Sequence, residues 1–215
     1  MLVRAPATVG IIAVCVAFFA GQLLVPGLQV RLGLIPLAIH DGEWYRLVTP
    51  ILLHGGVLHI AFNMYALWIF GPSIEDAVGH AWYLAAFLVT GFAASATSYA
   101  FSPCGIVGVG ASGAIFGIVG VLFVYLYRRR KEQFIGAYLN NLLVILGANL
   151  LFGVLVPNID LWAHGGGFAS GILLGLTLDR PSGSTGGAIT RLAGTLLVVG
   201  LALALVVWRT AGFTC

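Results

Sequence analysis

The chain has 215 residues, of which 60% are hydrophobic and only 8% charged, against about 25% charged in an ordinary soluble domain. So few charges cannot cover a soluble surface, and apolar stretches near the ~20 residues that cross a bilayer recur along the chain. A soluble globular fold is excluded in favour of an all-α polytopic membrane protein, and the net charge of +3 is no nucleic-acid footprint, because the arginines stand at the ends of apolar runs.

In chain order, the first apolar run covers residues 7–25. Arg4 precedes it as in a signal peptide, but the run is long and lacks a small-x-small cleavage site before its end. A retained first helix is therefore expected. Residues 26–50 form a long first loop, which mixes Leu28, Leu32, Leu34, Ile35 and Leu37 with Arg31, His40, Asp41, Glu43 and Arg46. Trp44 and Tyr45 add interfacial rings. Such a loop is expected to lie in the headgroup layer; an ordinary linker is the other reading.

The second span, 52–70, carries His54, His59 and Asn63, polar groups that hydrocarbon does not tolerate unpaired. His59 and Asn63 are four apart and share one helix face. They are either glue between helices or members of a site. The third span is 81–99. The fourth, 108–127, opens with Gly108-Val109-Gly110-Ala111-Ser112-Gly113. A lone Ser in a membrane helix usually bonds back to its own helix. Here Gly110 and Gly113 leave room for a substrate carbonyl to reach the hydroxyl, and leave the first N–H groups open to an oxyanion.

The fifth span is 137–156. The sixth, 162–178, opens with Ala163-His164-Gly165-Gly166-Gly167. No side-chain bulk follows His164 for three residues, so a neighbouring helix can press close. On its own, His164 could be a packed core residue, an interfacial one or a functional one. Small residues at Gly113, Gly117 and Gly120, and again at Gly167 and Gly171, mark the fourth and sixth spans as central and tightly packed. Residues 179–191 read as a cytoplasmic loop, rich in Ser and Gly from Pro181 to Gly187. The seventh span, 192–208, is mostly Leu, Val and Ala with Thr195 near its start, and reads as a peripheral lipid-facing helix. This divides the chain into a membrane core at 1–178, the loop at 179–191, and a seventh helix with its tail at 192–215. Cys15, Cys104 and Cys215 match no metal-site spacing and imply no disulfide framework.

Arg128-Arg129-Arg130-Lys131 follows the fourth span and should face the cytoplasm. Seven spans then put the N-terminus inside and the C-terminus outside, with Arg4, Arg180 and Arg191 also inside. The second, fourth and sixth spans all run from outside to inside. His59 and Asn63, Ser112 and His164 therefore fall in the outer half of the membrane, each within roughly 5–20 Å of its span's outer end at ~1.5 Å per residue. This shared depth favours one common site over three separate structural roles.

A serine hydroxyl needs a base to take its proton, and His164 is the candidate base for Ser112. No third acidic member is evident: Asp160, four residues before His164, is expected at the exposed mouth of its loop. The expectation is a Ser–His dyad, with the imidazole held by packing. Phe116, four after Ser112, is placed to stack beneath the His164 ring. Asn63, His59 and the Ser112 N–H could donate to the oxyanion, each donor typically worth ~3 kcal/mol.

These residues resemble the rhomboid family of intramembrane serine proteases. The resemblance is carried by Glu43-Trp44-Tyr45-Arg46, by His54 with His59-Ile60-Ala61-Phe62-Asn63-Met64 and Gly71, by Gly110-Ala111-Ser112-Gly113, and by Asp160 through Ala163-His164 with Gly167 and Gly171. It covers about residues 7–178 and implies a six-helix core, to which the seventh helix is appended. It implies Ser112 as nucleophile, His164 as base, and His59 and Asn63 as oxyanion-hole side chains. Arg46 resembles the arginine that fixes the first loop, His54 a structural histidine, and Gly167 and Gly171 the glycines that let the sixth helix pack on the fourth. Members cleave transmembrane protein substrates near the outer membrane face, often after a small residue, and the substrate helix enters sideways near the second and fifth helices. No metal and no organic cofactor is implied. Tyr45 stands where the family usually has Trp, and Phe116 where a Tyr often stacks under the histidine.

Two other classes are open to such a sequence. A non-enzymatic relative would usually lack the serine or the histidine, and both are present. A transporter would continue its polar residues into the inner half, which is almost wholly apolar here. The expected partners are transmembrane protein substrates and membrane lipids, not nucleic acid, with the oligomeric state open. The expected location is a bacterial inner membrane, with no soluble extra domain.

Overall fold

A computed structural model describes residues 5–155, 159–179 and 185–214. Arg4, Arg180, Cys215 and residues 181–184 of the Ser/Gly-rich loop lie outside the described residues. The elements run α1 (Pro6–Leu24), α2 (Leu28–Leu32), α3 (Pro36–His40), two 3₁₀ turns (Trp44–Leu47 and Thr49–Leu52), α4 (Val57–Val78), α5 (His80–Phe101), α6 (Ser112–Arg128), α7 (Ile135–Leu155), α8 (Leu161–Leu178) and α9 (Thr185–Ala211). Five of these, α1, α4, α5, α8 and α9, are long and apolar enough to cross a membrane, while α6 and Ile135–Gly147 of α7 are shorter apolar helices. The chain is an all-α polytopic membrane protein. Its outward side chains, among them Leu24, Leu58, Phe62 and Leu196, are large and apolar, as a lipid-facing surface requires.

The centre of the bundle is the parallel pair α6 and α8, flanked by α5. Gly167 of α8 lies on the Gly113 carbonyl of α6, Gly171 lies on the Gly117 carbonyl, and Gly175 lies beside Val121. A Cβ at Gly167 or Gly171 would occupy the space of a backbone oxygen. Helices in lipid gain nothing from excluding water, so this close backbone approach supplies the packing that holds the pair. At the far end of the pair, Arg128 and Arg129 reach Asp179 at 3.2 and 2.8 Å.

The fourth span differs from its expected start at 108. Helix α6 begins only at Ser112. Gly108 instead pairs with Leu34 in an antiparallel bridge, with both N···O distances 2.9 Å. Gly110 then takes φ +136°, which an α-helix cannot contain. The first loop is thereby tied to the residues just ahead of Ser112.

The first loop is closed on itself. Arg46, nearly buried, donates to the Glu43 carboxylate at 2.6 Å and to the Val30 and Gly33 carbonyls at 2.7 Å each. Tyr45, in the place usual for Trp, donates to Glu43 at 2.5 Å. That bond, and after it Arg46, holds the Glu43 carboxyl below its ordinary pKa. At the opposite end, the buried Glu75 of α4 accepts the Ala7 and Thr8 N–H groups at 2.8 and 2.7 Å and the Thr8 hydroxyl at 2.6 Å. One carboxylate thus satisfies two of the orphan donors at the start of α1.

The last helix has two faces. Leu192, Leu196, Leu197 and Leu203 are exposed, as the lipid-facing reading expects, but Val198, Ala202 and Val206 form a buried stripe where α9 packs on α5 and α8. Beyond α9 the chain turns back. Phe213 stacks on His40 of the first loop at 4.3 Å, while Thr210, still in the last turn of α9, meets the Tyr99 hydroxyl at 3.0 Å. Cys104 is disulfide-bonded, a bond that the cysteine spacing did not signal, whereas Cys15 is free and buried.

Candidate active site

Four elements converge at the end of the bundle that carries the first loop. The second 3₁₀ turn presents the Pro50 carbonyl, which accepts the Gly110 N–H at 2.9 Å and fixes the entry to α6. Ser112 is the first residue of α6, so its N–H is among those that a helix cannot bond internally. His164 lies in the first turns of α8, and its Nε2 is 2.8 Å from Ser112 Oγ. Phe116, one turn along α6, stacks on the imidazole at 4.4 Å and 16°. The ring therefore has a hydroxyl at its edge and an aromatic plane against its face.

His59 and Asn63 come from α4. The Gly55 N–H donates to His59 Nδ1 at 3.1 Å. An Nδ1 that accepts leaves the proton of a neutral ring on Nε2, which is then a donor. That Nε2 edge lies against Gly110: a Cβ there would stand 2.9 Å from His59 Nε2 and 3.6 Å from Ser112 Oγ. Asn63 is 6% exposed and gives one amide hydrogen to the His59 carbonyl at 3.0 Å, keeping the other. His54 does not join this group through a hydrogen bond. It packs edge-on to His59 at 5.3 Å, and its backbone is held by the side chains of Gln22 and Gln29. Arg46 lies in the first loop, away from the reacting atoms. Gly113 and Gly167 face each other beneath Ser112, with Gly171 one turn deeper.

Asp160 is not the exposed residue that its loop position suggests. It is half-buried, its carboxylate accepts the Ala163 N–H at 2.9 Å, and it also accepts a short hydrogen bond from Ser98 of α5. An Asp just ahead of an apolar run is a helix start signal that the reading of Asp160 as an exposed loop residue passes over; nothing local marks its partner in α5. Gln22 and Gln29 were also missed, since nothing local links them to His54. Among the described residues, no three His, Cys, Asp or Glu side chains are grouped to hold a metal ion.

A hydroxyl, an imidazole and two further amide or imidazole donors are thus gathered at one end of a polytopic helical bundle. Residues 41–181 match the Rhomboid domain. The chain is 39% identical over 165 residues to Rhomboid protease GluP of Bacillus subtilis, covering 77% of this chain and 32% of that protein. It is 38% identical over 151 residues to RHOMBOID-like protein 1 of Arabidopsis thaliana, covering 68% of this chain and 38% of that protein. A third relative, RHOMBOID-like protein 7 of the same plant, is 38% identical over 141 residues, covering 65% and 44%. The match thus spans less than half the length of each of these relatives. The chain belongs to the rhomboid family of intramembrane serine proteases.

Proposed function

We propose that the chain is a serine endopeptidase that cleaves transmembrane protein substrates near the outer membrane face. One observation carries this activity: the 2.8 Å separation of Ser112 Oγ and His164 Nε2, at the end of the bundle opposite the Arg128–Lys131 run. The run marks the cytoplasmic side, so the dyad faces outward.

His164 Nε2 takes the Ser112 proton as Oγ bonds to the scissile carbonyl carbon, and the carbonyl oxygen becomes an oxyanion. The Ser112 N–H, His59 Nε2–H and the second Asn63 amide hydrogen are the donors for it. The C–N bond breaks, His164 gives its proton to the leaving amine, and Ser112 holds the acyl group. Water then adds with His164 as base, and Ser112 leaves with the returned proton. Phe116 keeps the imidazole plane fixed throughout. The side between α4 and α7 is the entry: among the described residues, α7 packs mainly on α6 and has no substantial contact with α4. Phe62 and Tyr65 of α4 are exposed, and their rings suit contact with a substrate helix.

The test is turnover of a labelled transmembrane substrate in reconstituted vesicles. Parent protein cleaves it; Ser112→Ala and His164→Ala do not. Undiminished cleavage by Ser112→Ala ends the assignment.

A further inference from the structure

The dyad leaves one acidic side chain beside it without a role. Asp160 caps α8 four residues before His164. Its Oδ1 accepts the Ala163 N–H at 2.9 Å, and its backbone carbonyl accepts the His164 N–H at 3.1 Å. Its Oδ2 accepts the hydroxyl of Ser98, a fully buried residue of α5, and Ser102 Oγ lies 3.4 Å from that hydroxyl. One carboxylate therefore joins the first turn of α8 to the body of α5.

The turn it holds is the one that sets the height of His164. Phe116 contacts the face of the ring and stops it from tilting, but a stacked ring can still slide in its own plane. Sliding is set by where α8 sits along the bundle. Gly167 and Gly171 fix how closely α8 approaches the backbone of α6, and Gly166 makes room for the Thr97 side chain of α5. These small-residue contacts permit axial slip far better than a directional hydrogen bond does. The Asp160–Ser98 bond is directional and stands one helical turn from the base.

We infer that Asp160 is a positioning residue of the reaction. Bridging Ser98 to the first turn of α8, it holds His164 at the level where Nε2 meets Ser112 Oγ. This rests on the Ser112–His164 reading. Its negative charge also has the right sign to lie near a ring that becomes cationic as Ser112 attacks. A displacement near 1 Å at such a contact costs on the order of 10²-fold in rate.

The experiment uses the full chain in vesicles, reading kcat and KM well below the thermal midpoint. Asp160→Ala is expected to lower kcat about 10- to 100-fold with KM within about 2-fold. Asp160→Asn keeps one acceptor for the Ala163 N–H and can donate its NH2 to the Ser98 hydroxyl oxygen, so the bridge survives with that bond reversed and most of the loss should be recovered. Ser98→Ala should lower kcat in the same direction, and the Asp160→Ala, Ser98→Ala double variant should be no worse than Asp160→Ala alone. A parental kcat in Asp160→Ala, or a drop in thermal midpoint with kcat intact, overturns the inference. Where Asp160→Ala does not fold, Asp160→Asn and Ser98→Ala decide it: a parental kcat in Ser98→Ala overturns it equally. Ser112→Ala and His164→Ala run alongside. Activity in those two would remove the dyad itself, whatever Asp160 does.

Discussion

Gly110 is under two constraints at once. Its φ of +136° is backbone that a side chain strains to adopt, at about 1–3 kcal/mol. A Cβ would also stand 2.8 Å from His59 Cε1, inside contact distance. The imidazole cannot retreat freely, because Gly55 N–H holds its Nδ1. Gly110→Ala should therefore push His59 off its position beside Ser112. If His59 is an oxyanion donor, kcat falls on the order of 10²-fold, while Ser112 still labels with a small serine-directed fluorophosphonate. Parental kcat in Gly110→Ala would mean that His59 has no part in turnover. The polar residues of this site could be picked out of the sequence because each is costly in hydrocarbon unless paired: His59, Asn63, Ser112 and His164 interrupt otherwise apolar spans. The pairings that orient them could not. Gly55 with His59 is local but depends on a turn, while Leu34 with Gly108, and Asp160 with Ser98, join distant residues that no pattern links.

At the scale of the helices, the α6–α8 contact is made of backbone on backbone. Gly171→Ala would place a methyl in the space of the Gly117 carbonyl, and no flexible side chain is there to yield. The two helices must part, at an overpacking cost of about 1–3 kcal/mol. Gly165, on the same helix, has nothing within 4 Å of its absent Cβ. Gly165→Ala should leave the thermal midpoint unchanged or raise it, since Ala is the better helix former by about 1 kcal/mol. Equal midpoints for the two variants would remove small-residue packing as what holds this pair together. Helix existence was legible here from apolar run length, and the glycine spacing gave the packed faces of α6 and α8. Helix starts were not: α6 opens at Ser112 because of the bridge at Gly108, a tertiary event. The buried stripe of α9 was invisible for another reason. Leu, Val and Ala suit lipid and bundle interior alike, so no period separates the face carrying Val198, Ala202 and Val206 from the face carrying Leu196 and Leu203.

Across the whole molecule, the two ends of the bundle are fastened by different chemistry. The Ser112 end is closed by the first loop, its bridge to Gly108, and the Phe213 stack on His40. The opposite end is closed by charge: Arg128 and Arg129 on Asp179, and Glu75 on the start of α1. Glu75 is wholly buried, and His80 Nδ1 stands 2.6 Å from its Oε1. Along α4 it is roughly 18 Å from Asn63 at ~1.5 Å per residue. Glu75→Gln keeps the shape but replaces a charged acceptor with a neutral amide, one of whose ends can only donate. Two N–H groups and a hydroxyl then compete for one oxygen. A charge-assisted bond contributes about 1.5–3 kcal/mol, so the variant should lose about 2 kcal/mol of stability, read as a lower thermal midpoint. Its kcat, measured well below that midpoint, should match the parent, because α4 is anchored at the Ser112 end by bonds that do not involve Glu75. A kcat that fell in step with stability would mean that the start of α1 and the dyad move together, and that the two ends are not fastened independently.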